Sequence, residues 1–192
     1  MEYKSKIDPE VSYLRSIVDE ARSQNVSLSY HVGNHDPWHL DYMEDRLGFN
    51  LVTRPLVRTL SGRQVYLSHG DEEDVRGFRS RFARHLMRTA IYYNLYRLLP
   101  AGIGQTLPRW ISRKYADPRP NAYTIERLKI AASDILESKK VDCVIFGHSH
   151  QQSHSTFRTG DYFNSGSWFI DLSYLEILQD TVVPRCWHDN DA

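Results

Sequence analysis

Three short segments of this chain carry side chains that could hold a metal ion: Gly33-Asn34-His35-Asp36, Ser68-His69-Gly70-Asp71 and Gly147-His148-Ser149-His150. Neutral imidazoles together with amide or carboxylate oxygens form the mixed nitrogen–oxygen sites that Mn2+, Fe2+ and Zn2+ accept. Taken singly, each segment has an ordinary explanation. Asn-His-Asp suits a turn, a lone histidine can simply end a strand, and a His-x-His loop can be solvated. Their joint occurrence, each just beyond an apolar run, is what points to metal chemistry. Two histidines separated by one residue on a loop past a strand can aim both rings to one side.

The elements that must position these loops can be read from spacing. Asp8 fits an N-cap and Pro9 the first helical position, and Val11, Leu14, Val18 and Ala21 then recur on one helical face. A strand over about 27–32 runs into Gly33, and another over about 64–68 ends at His69. A helix over about 124–137 places Ile125, Leu128, Ala132 and Ile135 at helical spacing, and the strand 142–146 ends at Gly147. Two further strands, near 155–158 and 162–164, read as a hairpin across Thr159-Gly160-Asp161. Strand followed by a polar loop at its C-terminal end is the α/β pattern, and that rim is where such sheets bind ligands. The expected architecture is a two-layered sheet core flanked by helices.

At 192 residues, 41% hydrophobic and 25% charged, the chain suits a single globular domain over 1–192 with a real core. Its formal net charge of zero hides an asymmetry. The segment 75–120 holds ten Lys or Arg against one acid, Asp117, so it is strongly basic and the remainder correspondingly acidic. Basic stretches seek phosphate or anionic surfaces. Within it Phe78, Phe82, Leu86, Ala90 and Tyr93 recur at helical spacing until Pro100-Ala101-Gly102, which predicts a helical insertion. Because its aromatics form one helical stripe and not a stacking platform, nucleic acid is not the expected partner. His85, His154 and His188 read as incidental, and Trp38 and His39 as local packing. Only Cys143 and Cys186 could form a disulfide, no apolar run approaches the ~18 residues of a membrane span, and the N-terminus has no signal-peptide core. The expected location is cytoplasmic.

In this order the three motifs resemble the calcineurin-like metallophosphoesterase family, whose motifs run Asp-x-His, Gly-Asp-x-x-Asp, Gly-Asn-His-Asp/Glu, a lone His and Gly-His-x-His. The resemblance implies a β-sandwich flanked by helices and two divalent metal ions, Mn first, with Fe or Zn as alternatives. It places Asn34, His69 and His148 at one metal and His150 at its neighbour, clamping a phosphate and activating a water as nucleophile. It makes His35 the group that contacts phosphate and helps the leaving group, with Asp36 orienting that ring. Ser68-His69-Gly70-Asp71-Glu72, the basic insertion and Asn164-Ser165-Gly166-Ser167-Trp168 further resemble the UDP-2,3-diacylglucosamine diphosphatase branch, which cleaves a lipid-bearing pyrophosphate in lipid A assembly. The implied substrate is a phosphorylated lipid or nucleotide-linked lipid, with contact to the inner membrane surface. The segment 75–120 becomes a helical cap, in which Arg79, Arg84 and Arg88 would meet diphosphate and Phe82 would meet acyl chain.

Two departures shape the expectation. No Asp-x-His occurs in the 192 residues, and the only Gly-Asp-x-x-Asp, Gly70 to Asp74, follows the Gly-Asn-His-Asp loop instead of preceding it. The chain thus reads as a domain lacking its N-terminal strands and their ligands. Without a bridging carboxylate two dications repel each other, so weak metal affinity and impaired turnover are expected. The alternative is a non-catalytic remnant that binds anionic lipid or a partner through the basic cap.

Overall fold

The computed structural model describes residues 9–34, 42–74, 121–179 and 181–190, with a few isolated positions between 86 and 98. They fall into two compact units, Met1–Arg54 and Pro55–Ala192.

In the first unit, helix α1 (Pro9–Ser23) begins at the proline that the sequence marks as its first residue. Of its predicted apolar face, Val18 is fully buried and Leu14 and Ala21 are half-buried. Strand β1 (Ser29–His31) is shorter than expected and pairs in parallel with β2 (Asn50–Val52), which spacing alone does not reveal. Between them a turn of π-helix, Tyr42–Leu47, buries Leu47. Arg22 at the end of α1 donates to the Gly48 carbonyl at 2.6 Å, fastening helix to turn.

The second unit is a mixed α/β arrangement around a five-stranded sheet in the order β3-β4-β5-β7-β6. Its strands are β3 (Leu56–Leu60), β4 (Arg63–Leu67), β5 (Cys143–Phe146), β6 (Gln152–Phe157) and β7 (Gly160–Ser165). β4, β5 and β7 run parallel, while β3 and β6 are antiparallel edges. Alternation along these strands assigns every side chain a face. Tyr66, Val144 and Tyr162 point to one side, where helix α2 (Ala122–Lys139) lays Leu128, Ala132 and Leu136 against them together with Phe146. Val65, Cys143 and Phe163 point to the other, against Leu175, Ile177 and Val182 of the hairpin β8 (Ser173–Leu178) and β9 (Thr181–Cys186). The buried stripe of α2 is Thr124, Leu128, Ala132 and Leu136, strictly four apart, so Ile125 and Ile135 sit at its margins. Asn121 caps α2 by accepting from the Tyr123 amide at 3.0 Å, and Lys140 ends it in the left-handed conformation.

The N-terminal ends of the parallel strands are tied by charge. Arg63 donates to the Asp142 carbonyl at 3.1 Å and to Asp161 Oδ2 at 3.0 Å, and Thr156 Oγ1 donates to Asp161 Oδ1 at 2.9 Å. Gly160 opens β7 with φ +154, and a Cβ there would overlap the Asp142 carbonyl oxygen, so this tight entry needs glycine. Burial by itself would raise the Asp161 pKa, but the bonds from Arg63, Thr156 and His154 outweigh it and hold the group below its ordinary 3.8. A carboxylate depressed in the folded state stabilises above its unfolded pKa and loses that contribution as pH falls through the folded one. Asp161→Asn is therefore expected to destabilise the chain by about 1–2 kcal/mol at pH 7. Urea titrations should show that gap closing in strong acid.

Candidate metal site

The C-terminal ends of the parallel strands bring two of the three motifs side by side. Leu67 of β4 faces Ile145 of β5, so the residues that follow, His69 and Gly147, emerge as neighbours. The Gly147 amide donates to the His69 carbonyl at 3.1 Å, continuing the ladder past the sheet. A Cβ on Gly147 would stand 3.5 Å from that carbonyl and 3.9 Å from His69 Nδ1. The loop 147–150 is pinned from below by Asn164 on β7, whose fully buried amide donates to the Gly147 carbonyl and to Tyr162 Oη. Asn164 Oδ1 in turn accepts from the Gly166 amide at 3.2 Å.

His69 and His148 approach edge to face, with ring centroids 5.4 Å apart. A cation ~2.1 Å from one nitrogen of each ring lies ~3.2 Å from each centroid, so a near-tetrahedral angle sets the centroids ~5.2 Å apart. The observed separation is compatible with that spacing and equally with ordinary edge-to-face ring packing. His148 and His150 both hold left-handed backbone, φ +63 and +57, with buried Ser149 between them. Such strain in non-glycine residues costs on the order of 1–3 kcal/mol and persists where surrounding structure fixes it. Among the described residues, no three His, Cys, Asp or Glu side chains gather as a complete cation cage.

The remaining expected residues are placed as follows. His150 is exposed, two residues beyond His148. Asn34 is half-buried within the first unit, three residues beyond β1. His35 and Asp36 lie outside the described residues, as do Arg79, Phe82, Arg84 and Arg88 and nearly all of the 75–120 segment. Trp38, His39 and His85 lie outside them too. His154 is on the sheet, stacked on Phe163 at 4.2 Å and 3.3 Å from Asp161, a structural position. His188 lies in a closing 3-10 turn.

The segment after His69 holds groups that sequence spacing set aside. Gly70 has φ +101, and a Cβ on it would meet His148 Cβ and Phe146 Cβ at 3.3 Å. Its carbonyl accepts from the Asp74 amide at 3.1 Å, which closes a turn. That turn carries Asp74 to His148, with Oδ2 3.3 Å from Nε2. The same oxygen accepts from Thr124 Oγ1 at 3.1 Å, and Arg127 Nε stands 3.3 Å from the buried Oδ1. Glu73 accepts from Tyr66 Oη and Ser68 Oγ, each at 3.1 Å. Burial raises the Glu73 pKa above its ordinary 4.5, partly countered by those hydroxyls. Burial, and then the Glu73 charge, raise the Tyr66 phenol as well.

No family model matches the chain. It is 30% identical over 158 residues to the UDP-2,3-diacylglucosamine hydrolase of Porphyromonas gingivalis. The chain is similar to that hydrolase across most of its own length. The match covers 69% of this chain and 58% of that protein, so the chain spans a little over half of its relative. A Thermotoga maritima protein solved by solution NMR aligns over 89% of this chain and 71% of its own, at 13% identity and a TM-score of 0.35, too loose a likeness to bear on the fold. No described helix is long and apolar enough to cross a membrane.

Proposed function

We propose that the chain is a metal-dependent phosphoester or pyrophosphate hydrolase acting on a nucleotide-linked lipid such as UDP-2,3-diacylglucosamine. The observation that carries this is the pair His69 and His148, 5.4 Å apart on the C-terminal rim of parallel strands. The similarity to a hydrolase of that name supports the substrate class. In this reading the fold is a metallophosphoesterase sandwich, whose second layer is the hairpin β8–β9 against the five-stranded sheet.

The residues then divide the work. His69 and His148 would hold one cation with Asn34, and His150 its neighbour; Mn2+ heads the candidates, with Fe2+ or Zn2+ next. When bound, such cations supply Lewis acidity toward phosphate oxygens and an activated water. His35 would donate a proton or hydrogen bond to the leaving oxygen, oriented by Asp36. Arg79, Arg84 and Arg88 would neutralise diphosphate, and Phe82 would meet acyl chain. The basic segment would bring the protein to an anionic membrane surface.

The test is incubation with UDP-2,3-diacylglucosamine and Mn2+, followed by 31P NMR. Slow, metal-dependent cleavage of the P–O–P bond that vanishes in His69→Ala is the expected result. Cleavage that needs neither metal nor His69 contradicts it. Salt-sensitive binding to anionic vesicles without any turnover would instead favour a non-catalytic lipid-binding role for the 75–120 segment.

A further inference from the structure

We infer that Asp74 is a positioning residue that fixes the tautomer and orientation of His148; the inference rests on the metal reading for its purpose but not for its geometry. Asp74 Oδ2 lies 3.3 Å from His148 Nε2, at side chains only 12% and 17% exposed. A carboxylate oxygen is an acceptor, so the neutral ring must present its proton there, on Nε2. That puts the imidazole lone pair on Nδ1, the atom with which this histidine would meet a cation. A ring nitrogen that donates to a carboxylate while its partner nitrogen faces the metal is how proteins set ligand basicity and aim.

The carboxylate is itself clamped, as a positioning group must be. Thr124 Oγ1 donates to Oδ2 at 3.1 Å and Arg127 Nε stands 3.3 Å from Oδ1, both from the first turns of α2. Leu128, between these residues and the sheet, is fully buried and holds that end of α2 in place. Gly70 makes the arrangement possible from the other side, because its φ of +101 folds the chain so that Asp74 reaches back to the loop 147–150. Asp74 thus meets both Thr124 and the ring through Oδ2, while its buried Oδ1 pairs with the Arg127 charge without a hydrogen bond. One helix, one turn and one loop, from residues 74, 124, 127 and 148, thus converge on a single proton.

The test reads that proton directly. In the metal-free chain with 15N-labelled histidine, at a pH where the ring is neutral, long-range 1H–15N correlation is expected to show His148 protonated on Nε2 and unprotonated on Nδ1. Asp74→Ala should release the ring to a tautomer mixture, whereas Asp74→Asn, which keeps an acceptor oxygen, should largely retain the wild-type state. Thr124→Val, which only loosens the carboxylate, should fall between them, and it serves if Asp74→Ala does not fold. Co2+ titration followed by visible absorption should weaken about 10–100-fold in Asp74→Ala. A wild-type His148 protonated on Nδ1, or a tautomer unmoved in both Asp74→Ala and Thr124→Val, overturns the inference. Loss of the tautomer in a protein that binds no cation would leave the positioning role standing and remove the hydrolase reading. Metal binding with an unmoved tautomer would do the reverse.

Discussion

His148→Gly is expected to weaken Mn2+ or Co2+ binding more than about 100-fold, beyond the about 10–100-fold that losing an outer partner of a ligand typically costs. Glycine is the informative replacement because His148 sits at φ +63, which glycine adopts without strain. The loop should therefore keep its path, and its anchor from Asn164 to the Gly147 carbonyl involves no His148 atom. Isothermal titration with Co2+, alongside a circular dichroism melt, separates the two effects. A large loss of affinity at nearly unchanged Tm is the predicted pattern. Unchanged affinity would mean that the ring next to His69 is not a ligand.

The second large effect concerns the core beneath the same loop. Phe146→Ala is expected to lower stability by about 3–5 kcal/mol in urea titrations. Phe146 is 1% exposed, the last residue of β5, and lies between Tyr66 and Tyr162, with ring centroids at 6.3 and 5.6 Å. Interiors are close-packed, so the ring's removal leaves a cavity that Leu128 and its neighbours can only partly fill. The residue after Phe146 begins the loop 147–150, so the same variant should also blunt Co2+ affinity. A change below about 1 kcal/mol would show that the α2 face of the sheet is far looser than its burial implies.

How much of this was legible in the sequence follows from what generates each signal. Strands β4, β5 and β7 were readable as apolar runs leading into or out of Gly, and helices α1 and α2 from apolar residues at helical spacing, with Pro9 opening α1. The hairpin β8–β9 escaped, since Leu175 and Ile177 reach the core only half-buried and Val182 is the one buried apolar residue of the pair. β3 was missed for a similar reason: its burial runs half-buried at the ends and exposed between. Two of the three candidate motifs, at His69 and at Gly147 to His150, were legible as residue types beyond strands, and their adjacency follows once β4 and β5 pair in parallel. Asp74 was not legible. Its spelling within Gly-Asp-x-x-Asp pointed to a different role, and its contact with His148 depends on the left-handed turn at Gly70 and on α2, fifty residues away. Contacts that span such sequence distance leave no local period to read.

Electron spin-echo modulation of the Mn2+-loaded chain tests the central claim most directly, because it counts the imidazole nitrogens bound to the ion. The account predicts coupling to at least two histidine nitrogens, reduced by one in His69→Ala and by one in His148→Gly. Nitrogen coupling that is absent, or that survives intact when either histidine is removed, would contradict it.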